Sequence, residues 1–169
     1  MAASNAIPVV RAAGEGEKLW FYGGGVHIWK ATSEETGGAF LLFEGLFSQG
    51  KTTPLHTHPD VDETLYVLEG EVLIHVSGEE CSVGPDGMAM APRGVPHAFL
   101  ITSPTARILF LETPGSSEAF YRGASESWTP ELEGAGPVDF DRVRASAERN
   151  GGIEILGPPP FDRESAATR

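Results

Sequence analysis

Cysteine is nearly absent from this 169-residue chain. Cys81 is the only one, so no internal disulfide can form. A reducing compartment, the cytoplasm, fits a chain without cross-links. Basic residues are scarce too: 12 Lys and Arg stand against 24 Asp and Glu, for a formal charge of -12. Nucleic acid and anionic membrane surfaces attract basic patches, so neither is expected as a partner. No apolar run approaches the roughly 18 residues that a membrane-crossing helix needs. Residues 1–20 carry Glu15, Glu17 and Lys18 and lack a continuous apolar stretch, so no signal peptide is read there. No helix-turn-helix or basic recognition region is visible.

Glycine (21) and proline (13) are plentiful. They punctuate short runs of alternating or apolar character, such as Val26–Lys30, Ala39–Phe47, Glu71–Val76, Met88–Ala91, His97–Ile101 and Ala106–Glu112. About nine or ten short strands at regular spacing predict an all-β sandwich or barrel, not βαβ units. After Thr113-Pro114-Gly115 the texture changes. Ser116–Tyr121 reads as a short helix under the barrel. Asp139–Asn150 reads as a capped helix with Phe140, Val143 and Ala147 in a stripe, ended by Gly151-Gly152. The expected organisation is an N-terminal arm over 1–18, a barrel over 19–115 and a helical C-terminal extension over 116–169, with residues 161–169 frayed.

The chemistry concentrates between Gly50 and Gly70, GKTTPLHTHPDVDETLYVLEG. His56 and His58 are two residues apart, and on a strand such residues share a face. Glu63 opens the next apolar run, and Glu69-Gly70 reads as a hairpin turn into Glu71–Val76. Adjacent antiparallel strands could then deliver two imidazoles and a carboxylate to one ion. Asp62 is a competing carboxylate. A fourth candidate, His97, lies in PRGVPHAF. His27 reads as a strand histidine packed beside Trp29. His75 falls on the opposite face from Val72, Ile74 and Val76, outside the pocket. Cys81 reads as a small packing residue.

These residues carry a specific resemblance to the cupin superfamily. The first cupin motif, G-x5-H-x-H-x4-E-x6-G, is filled by Gly50, His56, His58, Glu63 and Gly70. The second ends in P-x-G-x2-H, filled by Pro92, Gly94 and His97. Its opening Gly-Asp is inverted as Asp86-Gly87, and Ile101 stands at its closing Asn position. The resemblance implies a cupin jelly-roll β-barrel with His56, His58, Glu63 and His97 as ligands to one divalent transition metal per chain. Such a donor set suits Fe, Mn, Ni, Co, Cu or Zn, and leaves two octahedral positions open. By parity with Glu63 and His97, an apolar substrate pocket is expected from Leu65, Val67, Met88, Met90, Phe99 and Ile101.

The full ligand set and the C-terminal extension are similar to the quercetin 2,3-dioxygenase-like single-domain cupins. That implies a dioxygenase acting with dioxygen on a planar enol or phenol, Glu63 accepting the substrate's hydroxyl proton. The same site could serve a non-oxidative cyclase or isomerase of a polyketide-like substrate, or a non-enzymatic small-molecule-binding cupin. The doubly apolar Ala39–Phe47 strand and the Trp20–Tyr22 patch predict a homodimer.

Overall fold

The computed structural model describes residues 5–132 and 138–161. Alternating side chains split the strands into two antiparallel sheets. The larger has the order β11-β1-β2-β3-β10-β5-β8, built from β1 (Glu17–Phe21), β2 (Val26–Ala31), β3 (Leu41–Ser48), β5 (Asp62–Glu69), β8 (Met88–Ala91), β10 (Thr105–Thr113) and β11 (Ser125–Ser127). The smaller has the order β12-β4-β9-β6-β7, built from β4 (Leu55–Thr57), β6 (Val72–Val76), β7 (Glu79–Val83), β9 (His97–Ile101) and β12 (Glu154–Gly157). Among the described residues they form a jelly-roll barrel of twelve strands, a few more than the punctuation of the sequence predicts.

The barrel core follows from period-two patterning. Phe43 and Phe47 on β3, Leu65 and Val67 on β5, and Ile108 and Phe110 on β10 are buried on the inner face. Val72, Ile74, Phe99 and Ile101 are buried on the smaller sheet and belong to the same core cluster. Phe43 stacks on Phe110, their ring centroids 5.0 Å apart. The patch Trp20-Phe21-Tyr22 is buried by its own chain, so it offers no surface to a partner.

Glu69-Gly70 does not close a hairpin. β5 pairs with β10 and β8, whereas β6 pairs with β7 and β9. The turn instead carries the chain from one sheet to the other. Gly70 has φ +83°, and a Cβ there would lie 2.3 Å from the Thr105 carbonyl oxygen, so both conformation and space require glycine. Cys81, expected to pack, is exposed on β7.

The two helices expected after Thr113-Pro114-Gly115 form, but the same stretch also adds one strand to each sheet. The Asp139 carboxylate accepts from the Arg142 N–H at 3.1 Å, capping α2 (Phe140–Asn150). Val143 and Ser146 form its buried face, while Phe140 is exposed. Ser146 Oγ donates to the Phe120 carbonyl on α1 (Glu118–Gly123), which ties the two helices together. Beyond α2 the chain adds β12 to the smaller sheet, next to β4. Residues 162–169, within the stretch expected to fray, lie outside the described residues, as do 1–4 and 133–137. Among the described residues no helix is long and apolar enough to cross a membrane.

Candidate metal centre and its cavity

His56 on β4 sits directly opposite His97 on β9, a cross-strand pair within the smaller sheet. His58 follows just after β4. Glu63 lies near the start of β5 in the larger sheet. The two histidines and the carboxylate therefore come from opposing sheets, not from neighbouring strands. They meet because the inner faces of the two sheets converge there. One ligand atom from each of His56, His58, Glu63 and His97 lies within 4.8 Å of all the others, and all four side chains are buried.

The tautomers follow from hydrogen bonding. His56 Nδ1 faces the Pro54 carbonyl at 2.8 Å, His58 Nδ1 the Gly152 carbonyl at 2.8 Å, and His97 Nδ1 the Val95 carbonyl at 2.9 Å. A carbonyl only accepts, so each Nδ1 carries the proton and donates it. In the neutral rings of His56 and His58, Nε2 is then a bare lone pair, the state in which imidazole binds a metal, whereas His97 Nε2 donates to the Glu63 carboxylate and gives up that proton when a cation takes its place. His58 Nε2 is buried without a hydrogen-bond partner. His97 Nε2 lies 2.9 Å from Glu63 Oε2, and His58 Nε2 lies 3.9 Å from Glu63 Oε1. Lone pairs and a carboxylate converging in a buried space call for a cation among them. The donor set, three nitrogens and one carboxylate, suits a borderline divalent transition ion, and the cluster fits a single metal site.

The electrostatics point the same way. Burial, with the neighbouring charges of His97 and His58, pulls His56 down to about 3. Burial also lowers His58. Both rings are thus neutral near pH 7. Burial opposes the charge on Glu63, but the hydrogen bond from His97 and the nearby imidazoles outweigh it and hold the carboxyl low. His97 is raised: burial opposes its charge, and the contact with Glu63 exceeds that penalty. The cross-strand neighbour of Glu63 is Glu112, fully buried. Burial, then the charge of Glu63, pushes Glu112 well above the usual carboxylate range. The Ser117 and Tyr121 hydroxyls hold its two oxygens. Glu63 is left as the charged carboxylate of the centre.

His56 and Glu63 also line a narrow cavity with about 50 Å³ of space that a water-sized sphere can reach. Phe21, Phe43, Phe99, Phe120 and Tyr121 are among its walls, and His27 and Lys51 also line it. Val143 and Ile153 close it from the C-terminal extension.

Of the pocket residues expected from parity, Phe99 lines this cavity. Leu65, Val67 and Ile101 are buried in the core and do not line it. Met88 and Met90 are corrected outright: they are 53% and 49% exposed. Their register pairs them with Tyr66 and Thr64 on the outer face, and it is Ala89 and Ala91 that oppose Leu65 and Glu63. Asp62 turns away from the cluster and binds Arg93, Oδ2 to Nη2 at 2.8 Å. His75 stays outside the cluster, as expected. His27 is not a member either, but it is more than a neighbour of Trp29, because it lines the cavity between Phe21 and Phe43. Sequence reasoning passed over Lys51, Glu112, Tyr121 and the Gly152 carbonyl. Glu112 left a signal: it continues the inward series Ala106, Ile108, Phe110 of β10. A carbonyl 94 residues from its histidine leaves none.

Residues 44–112 match the family described as the cupin domain. Over 145 residues, 85% of this chain, the sequence is 26% identical to the quercetin 2,3-dioxygenase of Bacillus subtilis (strain 168). The aligned part is 43% of that relative, so the chain spans less than half its length. The backbone is similar to a predicted oxalate decarboxylase from Thermotoga maritima (TM-score 0.56, 20% identity, 63% of this chain and 99% of that one). It is also similar to an RmlC-like cupin from Shewanella frigidimarina (TM-score 0.54, 18% identity, 64% of this chain and 95% of that one). At those identities the two structures speak for the fold alone. The family match over residues 44–112, the filled motifs and the two sheets agree: the chain has the cupin jelly-roll fold.

Proposed function

We propose that this chain is a metal-dependent dioxygenase acting on a planar enol or phenol. The observation that carries this reading is the opening of the buried His56, His58, Glu63, His97 cluster into an aromatic-walled cavity. The similarity to a quercetin 2,3-dioxygenase supports the same direction. His56, His58, His97 and Glu63 would hold the ion, and their three Nδ1 hydrogen bonds fix the rings. A divalent transition ion there supplies a Lewis-acid centre that favours a bound hydroxyl as its anion.

The remaining work falls to the chain's own residues. Phe21, Phe99 and Phe120 exclude water and hold a flat ring system. Glu63 is the base: its carboxylate, charged and in the cavity lining, takes the substrate's hydroxyl proton. Glu112, kept neutral beside it, does not compete for that proton. A positioned base is worth about 10²–10⁴ in rate.

The test is oxygen uptake with a panel of flavonols and related enols, at measured metal content. Wild-type protein is expected to consume oxygen. Glu63→Gln is expected to lose at least about a hundredfold in rate while keeping the three histidines and much of the metal. Uptake intact in Glu63→Gln would reduce Glu63 to an anchor. Metal-loaded wild type without uptake on any of the panel would shift the assignment to a cyclase, an isomerase or a binding protein.

We also expect a homodimer, paired through the outer face of the larger sheet. Tyr66, Met88 and Met90 are exposed there on two paired strands, and Leu46 lies two strands away. Static light scattering should return twice the chain mass. A monomer across the micromolar range contradicts it.

A further inference from the structure

Two polar groups in the cavity take no part in the metal cluster. The first is Lys51. Its ammonium lies 5.4 Å from the centre of the Phe99 ring and 5.9 Å from that of Phe21. Its hydrogen-bond partner is the Thr52 carbonyl, at 2.9 Å. An ammonium has three donors, and among the described residues no carboxylate forms an ion pair with this one. The second is His27, which is 3% exposed. Its ring is packed between Phe21 and Phe43, centroids 4.8 and 4.7 Å away, and its Nδ1 is buried without a partner.

An ammonium with one carbonyl partner and no counter-charge, and an imidazole nitrogen without a partner, cost stability in an aromatic cavity unless something uses them. His27 feels both ends of the site: burial lowers it most, the charge of Lys51 lowers it further, and the charge of Glu63 opposes them. The ring is neutral, hence able to hydrogen-bond without adding charge.

We propose that Lys51 is the anion-anchoring residue of this cavity, with His27 as its hydrogen-bonding companion. The ligand class is a flat ring system with two oxygen functions. An enolic or phenolic oxygen turns to the cluster and a second, anionic oxygen, carboxylate or phenolate, takes the Lys51 ammonium. This deepens the dioxygenase reading and rests on it for the first oxygen only. The aromatic walls accept the ring plane, and Lys51 shares the lining with His56 and Glu63 of the cluster.

The anchor carries a pH signature. Burial brings Lys51 down to about 7. An anion beside it favours the ammonium and raises it again. Binding is therefore tightest when Lys51 is already protonated, below about pH 7, and weakens as pH rises through that value.

Two probes separate the anchor from the metal chemistry: 6-hydroxy-2-naphthoate, with a phenol and a carboxylate at opposite ends, and 2-naphthol, with the phenol alone. Their own fluorescence reports binding to metal-loaded protein. Wild type is expected to bind the carboxylate probe at least about tenfold more tightly than 2-naphthol, as suits a charge-assisted hydrogen bond. That preference should fall between about pH 6 and pH 8. Lys51→Met and Lys51→Gln are expected to bring the ratio to within about twofold of unity and to flatten its pH dependence. Both should keep the metal content and an equal or higher Tm, because a part-buried ammonium without a counter-charge is gone. A preference retained in Lys51→Met would mean that the carboxylate binds elsewhere, at the cluster itself, and overturns the proposal. So does wild type with no preference. Oxygen uptake enters neither measurement, so an anchor can fail in a working dioxygenase and hold in a chain that is none.

Discussion

Alanine in place of His56 or His97 is expected to lower metal affinity at least about a hundredfold, judged against the 10–100-fold that losing a mere supporting hydrogen bond costs a metal site. Each ring supplies one of four converging donors, and the three left cannot close the gap, since their positions are set by strands from two sheets. The two variants act on the same cross-strand pair, so their effects should be similar. His58→Ala should go further in one respect. It also removes the hydrogen bond to the Gly152 carbonyl, which tethers the C-terminal extension to the site. Competition with a chelating dye measures all three, with circular dichroism confirming the fold. Affinities within about threefold of wild type, set against that scale, would contradict the ligand assignment.

Phe43→Ala is expected to be the most destabilising single change in the barrel. The side chain is 1% exposed and touches the rings of His27, Trp29, Phe110 and Tyr121. Removing a buried phenylalanine costs about 3–5 kcal/mol, the transfer term plus the cavity left behind. For a chain of this size that lowers Tm by about 10 °C. The same substitution at Met90, half exposed on the outer face, should fall within about 0.5 kcal/mol of wild type. Thermal unfolding of the two variants side by side checks the core assignment. Equal shifts would contradict the register that places Phe43 inside and Met90 outside.

Much of this architecture is legible in the sequence because it is local. Alternation along β3, β5 and β10 gives the inner faces, Asp139 and Gly151 bracket α2, and the motif spacing names the four metal-centre residues. What depends on long-range pairing was not legible. Glu69-Gly70 looks like a hairpin turn because a tight turn between two apolar runs has the same local chemistry whether the strands pair or part. Met88 and Met90 share a face, but parity cannot say which face looks inward; the register with β5 decides it. The Trp20–Tyr22 patch reads as surplus apolar surface until α1 and β11 are placed over it. Lys51 sits inside the metal motif, where the pattern assigns it no role. Its significance lies in two phenylalanines from distant strands, Phe21 and Phe99, that meet around it.

The buried His56, His58, Glu63, His97 cluster is expected to hold a transition ion. Elemental analysis of protein purified without added metal tests it most directly. The structure predicts about one divalent transition ion per chain in wild type and a small fraction of that in His56→Ala and His97→Ala. Wild type devoid of metal after incubation with each of the candidate ions, or variants loaded as fully as wild type, would contradict it.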